Sequence, residues 1–391
     1  MRNLLRSARI AAVRLGAAIG GLFPVRRTVV LATQHAHNLS GNLAFIRDEL
    51  ARRDPPIRVV VIASAAPRDR LERIWTLTRD VVAGYRLATA RVFVVDDYYF
   101  PRYAAERRPG TTTIQVWHAS GAFKRFGYSV LDRSFGADEE AVRRLPIHTN
   151  YDVCLVSSMN VAPAYADAFH QPLERFTSRI GIPRTDILFG EQRTATIAAA
   201  IRERYAIPLG RRVILYAPTF RGESIRLART PQDLDLGLLR QTLGADHVVL
   251  LRLHPFVRAA GPIDPSLSGF VIDVSAHPDI NELMLVSDIL VSDYSSAIYE
   301  FSLLGRPMAF FAPDQDVYEG ERGFYFEYRT GVPGPVFETS RELADFLRAG
   351  VFDLDRVARF RDASFDVADG RATARFVDEL VLPALADGGS R

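Results

Sequence analysis

Two Rossmann-like α/β domains are what this sequence predicts, on three observations. Short runs rich in Val and Ile alternate with longer amphipathic stretches along the whole chain. The runs are apolar throughout, without strict alternation, which suits parallel strands covered by helices on both faces. A length of 391 residues also exceeds what one ordinary core holds, so two domains are the default.

Taken in order, the expected strands are Thr28–Ala32, Ile57–Ala63, Arg91–Val95, Thr112–Trp117, Asp152–Val156, Val213–Ala217, His247–Leu253, Phe270–Val274, Asp288–Val291 and Met308–Phe311. Strands separated by helical segments wind into parallel sheets through right-handed crossovers. These strands are too many for one compact doubly wound domain. The charged, helix-patterned stretch Gly190–Leu209 divides them. The expected organisation is a basic N-terminal segment 1–26, a first domain 27–190 and a second domain 191–391, with the last helices packing back on the first. The site is expected in a cleft where the two domains face each other, because open parallel sheets bind ligands outside the carboxyl ends of their strands.

Composition narrows the function classes. The 48% hydrophobic and 24% charged content is ordinary for a globular chain and excludes a largely disordered one. A formal charge of +3 against 49 basic and 46 acidic residues gives no reason to expect a nucleic acid partner. Lys124 is the only lysine, an arginine bias that reads as genome base composition. The single cysteine, Cys154, sits in the apolar run Asp152–Val156 as a buried, inert thiol. One cysteine builds neither a disulfide framework nor a Cys-based metal site.

The N-terminal segment mixes Leu4, Leu5, Ile10, Val13, Leu15, Ile19, Leu22 and Phe23 with Arg2, Arg6, Arg9 and Arg14. Its uninterrupted apolar run is shorter than the roughly 20 residues of a spanning helix. The expectation is a basic amphipathic helix on an anionic membrane surface, placing the protein peripherally on the cytoplasmic face of the membrane. A first helix packed on the fold and a cleaved signal are the alternatives.

Four motifs at strand ends carry chemistry. In Ser292-Asp293-Tyr294-Ser295-Ser296 a buried strand gives way to a helix that Gly305 and Pro307 stop. Such a turn aims backbone N–H groups and a helix dipole at one spot suited to a phosphate, although plain N-capping uses the same residues. In Trp117-His118-Ala119-Ser120-Gly121-Ala122-Phe123-Lys124, a histidine at a strand end has the pKa of a general base, or is a structural neighbour of the tryptophan. In Arg252-Leu253-His254-Pro255, strand alternation puts Arg252 and His254 on one face, as a phosphoryl grip or a buried structural pair. Tyr216-Ala217-Pro218-Thr219-Phe220-Arg221 adds a weaker signal, as does the turn Gly181-Ile182-Pro183-Arg184-Thr185-Asp186. The pair Asp96-Asp97 reads as a turn, and His35 and His37 receive no role because no carboxylate spacing makes a metal site there.

In this order the segments resemble the CDP-glycerol glycerophosphotransferase family, the primases and polymerases of teichoic acids. The resemblance runs from Ser40-Gly41-Asn42 to Gly323-Phe324-Tyr325-Phe326. It rests on Trp117-His118, Gly181 to Leu188, Tyr216 to Thr219, Arg252 to Pro255 and Ser292 to Ser296; five common pieces in order make a specific signature. The resemblance implies a GT-B fold and a donor, CDP-glycerol or CDP-ribitol, held mainly by the C-terminal domain. The implied donor residues are His118, Ala119, Ser120, Gly121, Ala122, Arg184, Pro218, Thr219, Arg252, Leu253, His254, Ser295, Ser296 and Glu300. Glu300 stands where the family often has aspartate, and Ala119-Ser120-Gly121 where many members read Gly-Thr-Pro. Both departures bear on the shape of the polyol pocket, with glycerol phosphate the expected unit. A lipid-linked or polymeric acceptor enters on the N-terminal side. The expected reaction is attack of an acceptor hydroxyl on the β-phosphorus with loss of CMP, with His118 as base and His254 and Arg252 stabilising the phosphates. No cofactor and no metal are expected. Two rivals are a GT-B sugar transferase, which releases UDP or GDP, and a catalytically degenerate assembly factor.

Overall fold

The structure, a computed structural model, describes residues 2–34, 36–65, 70–131, 139–222, 233–254, 257 and 263–386. Pro255 and His35 lie outside them. The chain forms two compact units. The first comprises Met1–His118, Ala137–Asp186 and Asp366–Arg391; the second comprises Ala119–Gly136 and Ile187–Phe365. The segment that follows His118 therefore groups with the second unit, whereas the sequence division had assigned it to the first.

The first unit holds a six-stranded parallel sheet. Its strands are β1 (Arg26–Thr33), β2 (Val59–Ala63), β3 (Ala90–Val95), β4 (Thr112–Gln115), β5 (Val153–Leu155) and β6 (Phe176–Thr177). They lie in the order β2-β1-β3-β4-β5-β6. Val29, Leu31, Val92, Val94 and Ile114 put one face of the sheet into a core with Leu43, Ile46 and Leu50 of the helix Gly41–Arg52. The same core takes Phe376, Val377, Val381 and Leu385 from the last turns of the chain. Asp186 fixes that return, accepting from the N–H groups of Ala372 and Thr373 and from the Thr373 hydroxyl at 2.6–2.9 Å. An aspartate at a helix start satisfies donors the helix cannot pair itself.

Helix α1 (Arg2–Gly21) packs on helix α3 (Arg70–Thr89), with α2 being Gly41–Arg52. Glycines bring the two axes together: a Cβ built on Gly16 would meet the Val81 carbonyl oxygen at 1.9 Å, and one on Gly84 the Val13 oxygen at 2.0 Å. Val13 is fully buried, and Arg9 holds the buried Asp80 at 2.7 Å. The opposite side of α1 leaves Leu4, Leu15 and Ile19 exposed, and Leu22 just after it is exposed too. So α1 is a packed helix that still shows an apolar stripe. No described helix is long and apolar enough to cross a membrane.

The second unit has its own parallel sheet, β7 (Arg212–Ala217), β8 (His247–Leu251), β9 (Val271–Asp273), β10 (Ile289–Ser292), β11 (Met308–Phe311) and β12 (Val336–Phe337). The order β12-β11-β10-β7-β8-β9 is that of a dinucleotide-binding fold, with its reversal between β7 and β10. Ile214, Tyr216, Val249, Leu251, Ile289 and Val291 fill the core below Leu239, Leu243, Leu343 and Leu347. The helix Glu191–Arg204 precedes β7, within the stretch read as the divider.

Ten strands were expected, and twelve form among the described residues. The two additions, β6 and β12, are two residues each. Two expected strands end two residues early. Strand β4 stops at Gln115 because Trp117 takes a φ of 51°, and β8 stops at Leu251. Alternation along β8 therefore does not extend to Arg252 and His254.

Candidate active site

In the second unit the ends of β7 and β10 meet at the sheet's reversal, where open α/β sheets bind ligands. Asp293 ties them together. Its carboxylate accepts from the Thr219 N–H at 2.8 Å, the Thr219 hydroxyl at 3.0 Å and Arg221 Nη1 at 2.9 Å. Arg221 also forms a two-point pair with Asp314 at 2.5 and 3.0 Å and lies over the rings of Tyr294 and Tyr318. Two carboxylates hold that guanidinium charged, and Tyr294 donates its hydroxyl to Asp314 at 2.9 Å. Thr219 and Arg221 are thus parts of the frame, with Pro218 buried beside them. Ser295 and Ser296 follow at the start of the helix Ala297–Ser302, both half-buried, and the Ser295 hydroxyl accepts from the Ala297 N–H at 3.2 Å.

Positive charge gathers at the end of β8. His254 lies against the ring of Phe220 at 4.9 Å. Burial, with help from the charges of Lys124, Arg252 and Arg322, pushes its pKa down to about 4. Arg252 turns away from solvent: it donates to the carbonyls of Ser275 and Leu253, and its Nε is buried without a partner. Lys124 donates to the Tyr318 hydroxyl at 3.2 Å, and Arg322 to the Gly222 carbonyl at 3.2 Å. Among the described residues no carboxylate lies within ion-pair distance of Lys124 or Arg252. Arg252 and His254 share this region, although different neighbours hold them and no strand face aligns them.

The turn Ala119 to Ala122 is pinned to the helix Ala297–Ser302. Ser120 donates its hydroxyl to Glu300 Oε1 at 2.8 Å, and both groups are buried. Gly121 lies flat against Tyr299, where a Cβ would sit 2.2 Å from ring carbons. The two departures from the family pattern, Ser120 and Glu300, are therefore bonded to each other.

In the first unit His118 follows the strained Trp117. The Trp117 ring lies within 5.1–6.4 Å of Tyr98, His148, Tyr165 and Phe169, and the His118 ring lies against it, tilted by 31°, at 4.4 Å. The positive φ releases carbonyls from the ladder, and Asn42 Nδ2 donates to those of Val116 and Trp117 at 3.0 and 2.9 Å. Arg184 Nη1 donates to the His118 carbonyl at 2.6 Å. The Arg184 side chain therefore holds the backbone at His118. Asp97 Oδ1 lies 3.6 Å from His118 Nδ1. His148, behind the Trp117 ring, is buried and neutral, its pKa pushed to about 3 by burial and then by the charge of His118.

The family model for CDP-glycerol:poly(glycerophosphate) glycerophosphotransferase matches residues 22–382, nearly the whole chain. The chain belongs to that family. It is 35% identical over 363 residues to the teichoic acid ribitol-phosphate primase of Bacillus spizizenii, covering 92% of each protein. It is 28% identical over 335 residues to the teichoic acid glycerol-phosphate primase of the same organism, covering 86% of this chain and 78% of that protein. A solved structure of the wall teichoic acid polymerase TagF superposes with a TM-score of 0.76 at 24% identity, over 96% of this chain and 94% of that one. Two parallel-sheet α/β units with this likeness give the GT-B fold class.

Sequence reasoning left Asp97 as a turn residue and gave no role to Asn42, Gln115 or Arg322. For Lys124 and Arg322 the signal was present in part, as basic residues next to the Trp117–Phe123 and Gly323–Phe326 segments.

Proposed function

We propose that this family member transfers a polyol phosphate from a CDP-activated polyol to an acceptor hydroxyl in teichoic acid or related polymer synthesis. The observation that carries the reading is the basic ground around His254 in the second unit, where the charges of Lys124, Arg252 and Arg322 all act on the imidazole. Like charges gathered at one spot repel each other, and the repulsion is relieved when an anion binds. A diphosphate suits the spot, beside a sheet reversal that takes nucleotides in this fold class.

In the proposed reaction the acceptor oxygen forms a bond to the β-phosphorus. The phosphoanhydride bond to CMP breaks, its electron pair staying on the CMP phosphate, and the acceptor's proton passes to His118. Lys124, Arg252 and His254 stabilise the phosphoryl oxygens and the leaving CMP, and Ser295 and Ser296 hold the diphosphate. The acceptor is a lipid-linked or polymeric alcohol. Of the two donors, CDP-ribitol has the better support, because the ribitol-phosphate primase is matched more closely and more fully than the glycerol-phosphate primase. The sequence reading had preferred glycerol. Incorporation of labelled polyol phosphate from each donor decides between them; faster transfer of glycerol phosphate contradicts the ribitol assignment.

Peripheral attachment to an anionic membrane is part of the same reading. Its support is the exposed stripe Leu4, Leu15 and Ile19 on α1, continued by Leu22 just after it, with Arg14, Arg26 and Arg27 also exposed. Leu15→Glu changes the stripe without touching the buried face. Co-sedimentation with phosphatidylglycerol vesicles is expected to fall in that variant, and unchanged binding contradicts the attachment.

A further inference from the structure

One buried glutamine joins the two strand ends that carry Asp97 and His118. Gln115 ends β4 and has no exposed surface. Its amide nitrogen donates to the Asp97 carbonyl at 3.1 Å and to the Tyr151 hydroxyl at 3.0 Å. Its amide oxygen accepts from the Trp117 N–H at 2.9 Å. Asn42 and Arg184 secure the next three carbonyls, those of Val116, Trp117 and His118. Asn42 is itself fixed, since its Oδ1 accepts from the Arg184 N–H at 2.9 Å. The backbones at positions 97 and 116–118 are therefore held in one frame, and the Trp117 ring lies against the imidazole at 4.4 Å.

Within that frame the Asp97 side chain is largely buried while the His118 imidazole is 49% exposed. The neighbouring Asp96 is directed elsewhere, bonded to Thr33. We infer that Asp97 is a positioning residue for His118. Its carboxylate selects the tautomer with hydrogen on Nδ1, leaves Nε2 to receive the acceptor's proton, and stabilises the imidazolium that results. The inference rests on the reading of His118 as the base.

At 3.6 Å the pair is an electrostatic contact, longer than a hydrogen bond, and such contacts commonly shorten when substrate binds. His148 is neutral at working pH, and the Arg184 guanidinium is engaged on the His118 carbonyl. A carboxylate at this separation favours the protonated imidazole, an attraction weakened by the water around a half-exposed ring.

The test compares Asp97→Asn, Asp97→Glu and His118→Ala in the full chain, measuring turnover, donor KM and the pH profile. Asp97→Asn is expected to lower kcat about 10²-fold with donor KM within about twofold of wild type. Its acidic limb in kcat/KM is expected to move to lower pH. Asp97→Glu is expected to recover part of kcat. Thermal unfolding and CDP binding close to wild type show that each variant folds. A merely structural aspartate would not move the limb. If His118→Ala loses turnover while Asp97→Asn keeps near-wild-type kcat and an unmoved limb, Asp97 has no positioning role although the base reading stands. If His118→Ala itself keeps turnover, the base reading and this inference both fall.

Discussion

Replacing Gly84 by alanine sets two well-characterised effects against each other. In a helix interior, alanine is favoured over glycine by about 1 kcal/mol. Here the new methyl would lie 2.0 Å from the Val13 carbonyl oxygen. Carbon–oxygen contacts begin at about 3.3 Å, so α1 and α3 must part by about 1.3 Å. The obstructing atom belongs to a backbone and cannot rotate away. Separation also loosens the fully buried Val13 and draws Arg9 from Asp80, now at 2.7 Å. Overpacking of this kind costs about 1–3 kcal/mol, and breaking a buried ion pair adds to it. The expected balance is about 2 kcal/mol of weaker α1 docking, which is about 30-fold faster amide exchange in α1 by local opening. Hydrogen exchange on the full chain reads this directly. If α1 exchanges at the wild-type rate or more slowly, propensity outweighs the contact and the account of the glycine crossing is wrong.

Two further outcomes follow from the shifted groups. His254 titrates near 4 in the free protein, so it is neutral at pH 7. A bound diphosphate offsets the cations around it and draws a proton on, and CDP binding between about pH 7 and 5 should take up a proton. Calorimetry in buffers of different ionisation heat detects that uptake; its persistence in His254→Asn assigns it to another group. Asp96 titrates near 7, pushed up mainly by burial. An acid whose folded-state pKa is raised loses stability as pH rises from about 4 to about 7, because the unfolded chain ionises first. Asp96→Asn should therefore match wild type below pH 4 and exceed it by about 2 kcal/mol at pH 8, half of the full shift being set against altered bonding to Thr33. Equal urea midpoints at pH 8 contradict the burial argument.

Much of the architecture was legible because parallel strands write themselves as apolar runs. The runs at Val29, Val92, Val213, Val248 and Leu290 lie in strands, and only β6 and β12 are too short to show a pattern. Helix α1 was legible as amphipathic, but its packed side was not. Two sides of it are apolar, and Gly16 and Gly84 determine which one α3 covers. Arg252 and His254 were read as one face by continuing β8, which in fact ends at Leu251. Asp97 was hidden for a different reason. It precedes tyrosines in what looks like a turn, and it comes beside His118 only because β3 and β4 pair with Val95 opposite Gln115. Gln115 and Asn42 act through single hydrogen bonds to backbone carbonyls, and no residue pattern announces such bonds. The bonded pair Ser120 and Glu300 shows how two separate departures can be one feature, visible only when residues 180 positions apart are seen together.

The most direct measurement of the central claim is the nucleotide released when the full chain is given activated donors and a lipid-linked acceptor. The account predicts acceptor-dependent release of CMP from a CDP-polyol, abolished in His118→Ala with CDP binding retained. Release of UDP or GDP from a nucleotide sugar, with no CMP formed from either CDP-polyol, would contradict it.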